Sequence, residues 1–180
     1  MIYVFLAPGF EEIEALATVD VLRRAGEQVV TVGVTEPMIE GAHGIAVRAD
    51  AVIAQVAEDD PEAVVLPGGM PGTLNLERCP EVLRMVERAH RNGRIVAAIC
   101  AAPSVLGHMG LLQGRKATCY PGFEAELTGA EKVAQGVCRD GRIITANGAG
   151  NAIAFGLEIV RARRGDQAAD TIAAAMQCGT

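Results

Sequence analysis

The chain has 180 residues and a formal net charge of −6 at pH 7; half of the residues are hydrophobic and 3% are aromatic. This size and apolar content predict a single domain over residues 1–180 with an aliphatic core. The acidic balance disfavours a nucleic-acid partner, because phosphate binding needs a concentrated basic surface. No apolar run reaches the roughly 18 residues of a membrane span, and no basic leader precedes the first apolar run. We therefore expect a cytoplasmic protein without a membrane partner.

Short apolar runs that predict strands alternate with longer amphipathic runs that predict helices. In chain order, these are a strand over 2–6, a helix over 11–25, a strand over 28–34, a hairpin or edge strand over 41–53, a strand over 63–66, a helix over 81–91, a strand over 94–99, a helix from about 103, a strand over 116–119, a hairpin over 137–146, and helices over 151–163 and 166–176. The alternation predicts an α/β fold with a mostly parallel sheet between two layers of helices.

Three segments follow predicted strands: residues 7–14, 67–72 and 100–103. The carboxyl ends of parallel strands share one edge of the sheet, and ligands bind at that edge in such folds. The candidate site therefore comes from these segments.

Cys100 directly follows the strand over 94–99, in a tight turn before a helix. Such an elbow exposes one side chain above the sheet and directs the next backbone N–H groups towards it. The helix terminus favours an anion, which predicts a lowered thiol pKa. The alternative is a buried structural cysteine, which is the commonest fate of an unpaired cysteine.

Glu14 is the acidic residue of the first helix that capping explains least. Glu11 and Glu12 suit the first helical turn, where carboxylates favour the dipole. Glu14 lies about one turn further on and can point back towards the edge of the sheet. Gly68 and Gly69 follow the strand over 63–66, and their backbone N–H groups could form one wall of an oxyanion hole. No Lys-Ser or Lys-Thr follows these glycines, so the segment is not a phosphate-binding P-loop.

The remaining candidate ligands are scattered. His43, His90 and His108 do not follow predicted strands, so a Cys–His dyad is not predicted. The five cysteines are odd in number and contain no C-x-x-C pair, which argues against zinc and thioredoxin chemistry. They are Cys79, Cys100, Cys119, Cys138 and Cys178. We expect reduced thiols and no metal; whether Cys119 cooperates with Cys100 is open.

Five ordered motifs run along the chain: GFEEIEA, VDVLRRAG, VVLPGGMPGTLNL, IVAAICAAPSVL and DGRIITANGAGNAIAFGLEIV. Together they resemble the ThiJ/PfpI family and, within it, the DJ-one subgroup. The resemblance implies a flavodoxin-like three-layer sandwich of the class I glutamine amidotransferase-like superfamily, and a homodimer. It also implies that Cys100 is a nucleophile, that Glu14 is its partner carboxylate, and that Gly68, Gly69 and Ala101 line an anion pocket.

The family activities include cofactor-independent glyoxalase III chemistry on 2-oxoaldehydes such as methylglyoxal, and deglycation. Two positions depart from family patterns. Peptidase-like members carry His where this chain has Ala101, so a peptidase is not implied. Tyr120 stands where the subgroup has a His, and could hydrogen-bond a substrate. The rival interpretations are a redox sensor or stress chaperone that acts through oxidation of Cys100, and a structural homodimer with vestigial chemistry.

The helix over 11–25 also bears on assembly, because it is apolar on two sides, and a helix of this kind is buried on both. One side carries Ile13, Leu16, Ala17 and Val21, and the other carries Ala15, Val19 and Leu22. We expect a homodimer with this helix near the interface.

Overall fold

The computed structural model describes residues 1–56 and 59–178. The strands are β1 (Ile2–Leu6), β2 (Val29–Gly33), β3 (Met38–Glu40), β4 (Ala46–Arg48), β5 (Ala51–Val52), β6 (Ala63–Leu66), β7 (Ile95–Ile99), β8 (Lys116–Ala117), β9 (Glu131–Lys132), β10 (Val137–Asp140) and β11 (Ile143–Ala146). The helices are α1 (Glu12–Arg24), α2 (Ile53–Val56), α3 (Gly72–Glu77), α4 (Pro80–Arg91), α5 (Pro103–His108), α6 (Ala152–Arg164) and α7 (Asp166–Ala175). None of the described helices is long and apolar enough to cross a bilayer.

Seven strands form the central sheet in the order β10-β11-β7-β6-β1-β2-β5. All neighbours are parallel except the hairpin of β10 and β11. The mostly parallel sheet predicted from the alternation of strands and helices is therefore confirmed, as is the hairpin over residues 137–146.

Side chains alternate between the two faces of the sheet and create two apolar layers. On β1, Ile2, Val4 and Leu6 face the layer that contains α1, α6 and α7. Tyr3 and Phe5 face the opposite layer, which contains α4 and α5. A strand buried on both faces reads as a continuous apolar run, and this is why β1 lacks polar alternation.

The segment over 41–53, for which the sequence allowed a hairpin or an edge strand, contains β4 and β5, whereas the first strand of the hairpin, β3, precedes it. β3 pairs with β4 as an antiparallel hairpin outside the main sheet, and β5 pairs with β2 as a parallel edge strand. The predicted strand over 116–119 is shorter, since only β8 forms a ladder there. The helix α3, which directly follows the glycine-rich loop, was not predicted because two glycines and two prolines precede it.

The helices α1 and α6 pack against each other at Gly156. A Cβ atom at Gly156 would lie 3.0 Å from the Cβ of Val21. The absence of a side chain at this position therefore lets the two helices approach each other.

We expect Gly156→Val to overpack this contact and to lower the free energy of unfolding by about 1–3 kcal/mol. Urea denaturation measures the change. Gly150→Ala is the matched control, because no atom lies within 4 Å of a Cβ at that position, and we expect it to alter stability by less than about 0.5 kcal/mol. Equal effects of the two substitutions would contradict the packing argument.

Candidate active site

The carboxyl ends of three neighbouring strands, β1, β6 and β7, bring the three predicted segments together. The loop after β1 and the loop after β6 are joined by two backbone hydrogen bonds. The Glu11 N–H donates to Gly68 O at 2.9 Å, and the Gly72 N–H donates to Gly9 O at 3.1 Å. Adjacent strand positions thus place the start of α1 beside the glycine-rich loop.

Cys100 lies in a strained turn between β7 and α5. Its φ of 65° is in the left-handed region, where residues other than glycine are uncommon and cost of order 1–3 kcal/mol. Two backbone hydrogen bonds hold it there: Cys100 N–H donates to Ala146 O at 2.8 Å, and Tyr120 N–H donates to Cys100 O at 2.7 Å. This is the geometry of a nucleophile elbow.

The Glu14 side chain is buried, with 1% of the residue exposed. Its Oε2 accepts a hydrogen bond of 2.8 Å from the Gly68 N–H. Its Oε1 is also buried and has no hydrogen-bond partner in the described part of the chain. Burial raises the pKa of Glu14 to about 7, aided by the charge of Glu11 and opposed by hydrogen bonds with Cys100 and Gly68. Glu14 can therefore hold or release a proton near neutral pH.

Gly68 leaves room for the thiol and the carboxyl to meet. A Cβ at Gly68 would lie 2.6 Å from both Cys100 Cβ and Glu14 Oε2. Any larger residue would push the loop away from these groups. At Gly69 the φ of 91° also favours glycine.

The environment of Cys100 raises the pKa of its thiol, whereas the sequence predicts a lowered pKa. Burial, followed by the charge and hydrogen bonding of Glu14, raises the thiol pKa to about 12, against the smaller effect of the N–H groups of Ala101 and Gly69. An ionised carboxylate and a thiolate side by side repel each other, so the pair retains one proton and titrates as a unit. A thiolate at this position is favoured when Glu14 carries the proton.

Comparison with known proteins now identifies the family. The chain matches the DJ-1/PfpI family over residues 1–162. The chain belongs to that family. It is 39% identical over 93% of its length to protein DJ-1 homolog A of Arabidopsis thaliana, but it spans only 44% of that longer relative.

Two further relatives are similar over most of both chains. The glutathione-independent glyoxalase DJR-1.2 of Caenorhabditis elegans is 31% identical over 90% of this chain and 87% of the relative. A deglycase of Pyrococcus abyssi is 30% identical over 89% and 97%. The solved structure of oxidized Toxoplasma gondii DJ-1 superposes with a TM-score of 0.96 at 34% identity, covering 99% of this chain and 98% of the other. The α/β fold is therefore that of the DJ-1/PfpI family.

Tyr120, the position that departs from the DJ-one pattern, lies at the rim of the same site. Its backbone N–H donates a hydrogen bond to Cys100 O. Its ring lies near Gly148, where a Cβ atom would be 3.5 Å from Tyr120 Cδ2. Half of the residue is exposed to solvent. Ala101 is buried directly after Cys100.

The other candidate groups lie away from the thiol. Nδ1 of His108 is 2.5 Å from Glu77 Oε1, and its Nε2 is 2.8 Å from Glu126 Oε2. Cys119 belongs to the apolar layer of α4 and α5, whereas Cys100 packs against the layer of α1 and α6. The two side chains therefore pack in different apolar layers.

Glu12 has a role that capping did not predict. The residue is 4% exposed, and its Oε1 accepts a hydrogen bond of 2.7 Å from the His43 N–H. Its Oε2 lies 2.8 Å from His43 Nδ1, so this carboxylate fixes the loop between β3 and β4 against α1. Glu11, Glu12 and His43 form the one cluster of three potential metal ligands within residues 1–56 and 59–178, but these contacts already engage both Glu12 oxygens.

The charge of Glu14 gives a test of the proton-sharing pair. Glu14→Gln removes the negative charge beside the thiol, so we expect the pKa of Cys100 to fall by about one to two units. Alkylation of Cys100 by iodoacetamide at alkaline pH then becomes faster, which peptide mass spectrometry measures as a rate against pH.

Glu81→Gln is the control for this measurement. Glu81 Oε2 lies 3.5 Å from the Sγ of another thiol, Cys79. We expect this substitution to leave the pH dependence of Cys100 alkylation unchanged. A pKa of Cys100 that stayed constant or rose in Glu14→Gln would show that the carboxylate charge does not control the thiol.

Proposed function

We propose that the protein is a cofactor-independent enzyme of the glyoxalase or deglycase type that acts on 2-oxoaldehydes such as methylglyoxal. The observation that carries the proposal is the pairing of Cys100, in a strained elbow, with the buried carboxyl of Glu14. The names of the C. elegans and P. abyssi relatives, a glyoxalase and a deglycase, support the same class of chemistry.

In the proposed first step, the Cys100 sulfur attacks the aldehyde carbon and forms a hemithioacetal. The proton of the thiol passes by way of the Glu14 carboxylate to the new oxyanion, which becomes the hydroxyl of the hemithioacetal and leaves the carboxylate free to act as a base. The backbone N–H groups of Gly69 and Ala101 lie beside the sulfur, where they can donate to a developing oxyanion. Fixed donors of this kind stabilise charge without reorganising during the reaction.

In the second step, Glu14 removes the hydrogen from the former aldehyde carbon and returns a proton to the neighbouring carbon, through an enediol-like species. The product is a thioester of a 2-hydroxy acid, and water hydrolyses it to release the acid and the thiol. One carbon is oxidised while its neighbour is reduced, so no external redox cofactor is needed. A carboxyl with a pKa near 7 suits both directions of this proton transfer.

Tyr120 is proposed to bind substrate. As a hydrogen-bond donor at the rim, it can orient a substrate carbonyl towards the elbow.

The alternative function is redox sensing or chaperone-like stress protection through oxidation of Cys100. The buried, unpartnered Oε1 of Glu14 favours it, because a protonated carboxyl can donate to an oxidised sulfur anion. Both functions use the same thiol, and accessible thiolates are the ones that oxidise. Production of lactate from methylglyoxal distinguishes them, since a sensor does not turn over substrate.

We also propose a homodimer formed through α1. Ile13 is 57% exposed and Leu16 is 37% exposed, which leaves an apolar surface on this helix. Val21, which the helical periodicity grouped with them, is instead buried beside Gly156. The exposed large apolar residues of α1 are therefore confined to its first two turns.

Replacement of Cys100 by Ser should reduce lactate formation from methylglyoxal by at least about a hundredfold, because the hydroxyl is a far weaker nucleophile. Cys138→Ser should leave the rate unchanged, since Cys138 lies on β10. We expect Glu14→Gln to lose activity to a similar extent, because an amide cannot relay a proton. Full turnover in either site variant would refute the proposed mechanism.

Charges placed on the exposed side of α1 should prevent dimer formation. We expect the double variant Ile13→Glu, Leu16→Glu to sediment with the mass of one chain and the parent with the mass of two, because a buried charge without a partner is costly. Leu74→Glu, at an exposed apolar residue of α3, is the control and should remain dimeric. A parent protein that sediments as a monomer at micromolar concentration contradicts the proposal.

A further inference from the structure

The amino-terminal edge of the sheet contains a polar cavity of about 240 Å³. It has room for about eight water volumes at roughly 30 Å³ each. Its lining consists of Glu62, Gly93, Arg94, Arg142 and Arg163. The five residues of β7, about 17 Å at 3.3 Å per residue, separate Arg94 from the elbow at Cys100.

The strand register explains why these residues meet. Ala63 of β6 is the partner of Ile95, and Ile143 of β11 is the partner of Val96. The residues that precede the three strands are therefore neighbours in space. Two backbone hydrogen bonds join them: Ile95 N–H donates to Glu62 O at 3.3 Å, and Val96 N–H donates to Arg142 O at 3.0 Å.

Part of the positive charge near the cavity is already neutralised. Arg163 Nη2 lies 2.9 Å from both Glu27 Oε2 and Glu62 Oε2. Arg164 shares the buried Glu27 carboxylate through a contact of 3.1 Å. Basic residues at the end of α6 also favour the helix dipole without any ligand, so this pair of arginines alone does not indicate a site.

Arg94 and Arg142 add positive charge that those contacts do not balance. Arg94 Nη2 is 3.4 Å from Asp60 Oδ2, which is a long contact. The Arg142 side chain has no hydrogen bond or ion pair with the residues that the structure describes, and it lies in the turn between β10 and β11 rather than at a helix end. In a protein whose net charge is −6, this is a local excess of cationic groups.

Unused hydrogen-bond donors accompany this charge. The Nε atoms of Arg94 and Arg163 are buried and have no acceptor among the described residues. Buried donors without an acceptor are rare and costly. A ligand oxygen in the cavity could accept from them only if these side chains shift, because the two Nε atoms have almost no accessible surface.

We propose that this cavity binds a phosphate group, with Arg94, Arg142 and Arg163 as its ligands. The planar fork of a guanidinium matches two phosphate oxygens, and each such pair combines charge with directed hydrogen bonds. The small cavity and the acidic surface of the whole chain favour a small phosphorylated molecule over a nucleic acid. The site is independent of the proposed chemistry at Cys100.

Isothermal titration of the full chain at constant ionic strength tests this site. The two probes are inorganic phosphate and a nucleoside monophosphate, which share the phosphate group and differ in what it is attached to. We expect saturable binding of one phosphate group per chain, and about tenfold or greater weakening in Arg142→Gln. Arg142→Lys should retain part of the affinity, because it preserves the charge and removes the fork.

Arg48→Gln is the matched control, because it removes the same charge from the exposed β4. Binding of inorganic phosphate alone or of both probes supports a site for the free ion, and binding of the nucleotide alone supports a phosphorylated metabolite. Absence of saturable binding of either probe at millimolar concentration overturns the proposal. Equal weakening by Arg48→Gln and Arg142→Gln also overturns it, since that result indicates a diffuse charge effect.

Discussion

The buried carboxyl of Glu14 is the interaction on which the arrangement of the site depends. It joins α1 to the glycine-rich loop through the Gly68 N–H and acts on the Cys100 thiol across a space that only a glycine leaves free. Without this contact, the loops after the three strands would lie at the same edge of the sheet, but the Cys100 thiol and the Glu14 carboxyl could not share a proton. The strained backbone of Cys100 is stable because its neighbours fix its N–H and its carbonyl.

This burial carries a thermodynamic cost. The pKa of Glu14 rises from 4.5 to about 7 on folding, with burial as the main cause. The folded chain therefore binds this proton more tightly than the unfolded chain, so the group stabilises the fold fully below pH 4.5 and loses that contribution as the pH rises through 7. The difference is on the order of 3 kcal/mol. The proposed catalytic or sensing role would account for such a group at this position, since an apolar side chain would be less costly.

The sequence was sufficient for most of the fold because its strands are short apolar runs and its longer helices begin and end at clear signals. It also placed Cys100 directly after a strand and Glu14 one turn into the helix that follows another strand, since that inference needs only the order of the elements. The prediction of a lowered pKa for Cys100 was wrong. Burial by side chains from several elements raises the thiol pKa by more than the dipole of the short helix α5, which has only six residues, can lower it. The contact of Glu12 with His43 and the cavity lined by Arg142 depend on residues distant in the chain, and no local pattern indicates them.

The two ends of the sheet differ in charge, and this difference bears on the substrate. Among the described residues, no basic side chain is a main cause of the pKa shifts of Cys100 or Glu14, whereas arginines gather at the opposite edge. An anionic substrate would meet the carboxylate of Glu14 without a compensating cation. An uncharged dicarbonyl compound avoids that repulsion and becomes anionic only during the reaction, when the N–H groups of Gly69 and Ala101 can stabilise it. The electrostatics of the site thus agree with the proposed neutral 2-oxoaldehyde substrate better than with a 2-oxoacid.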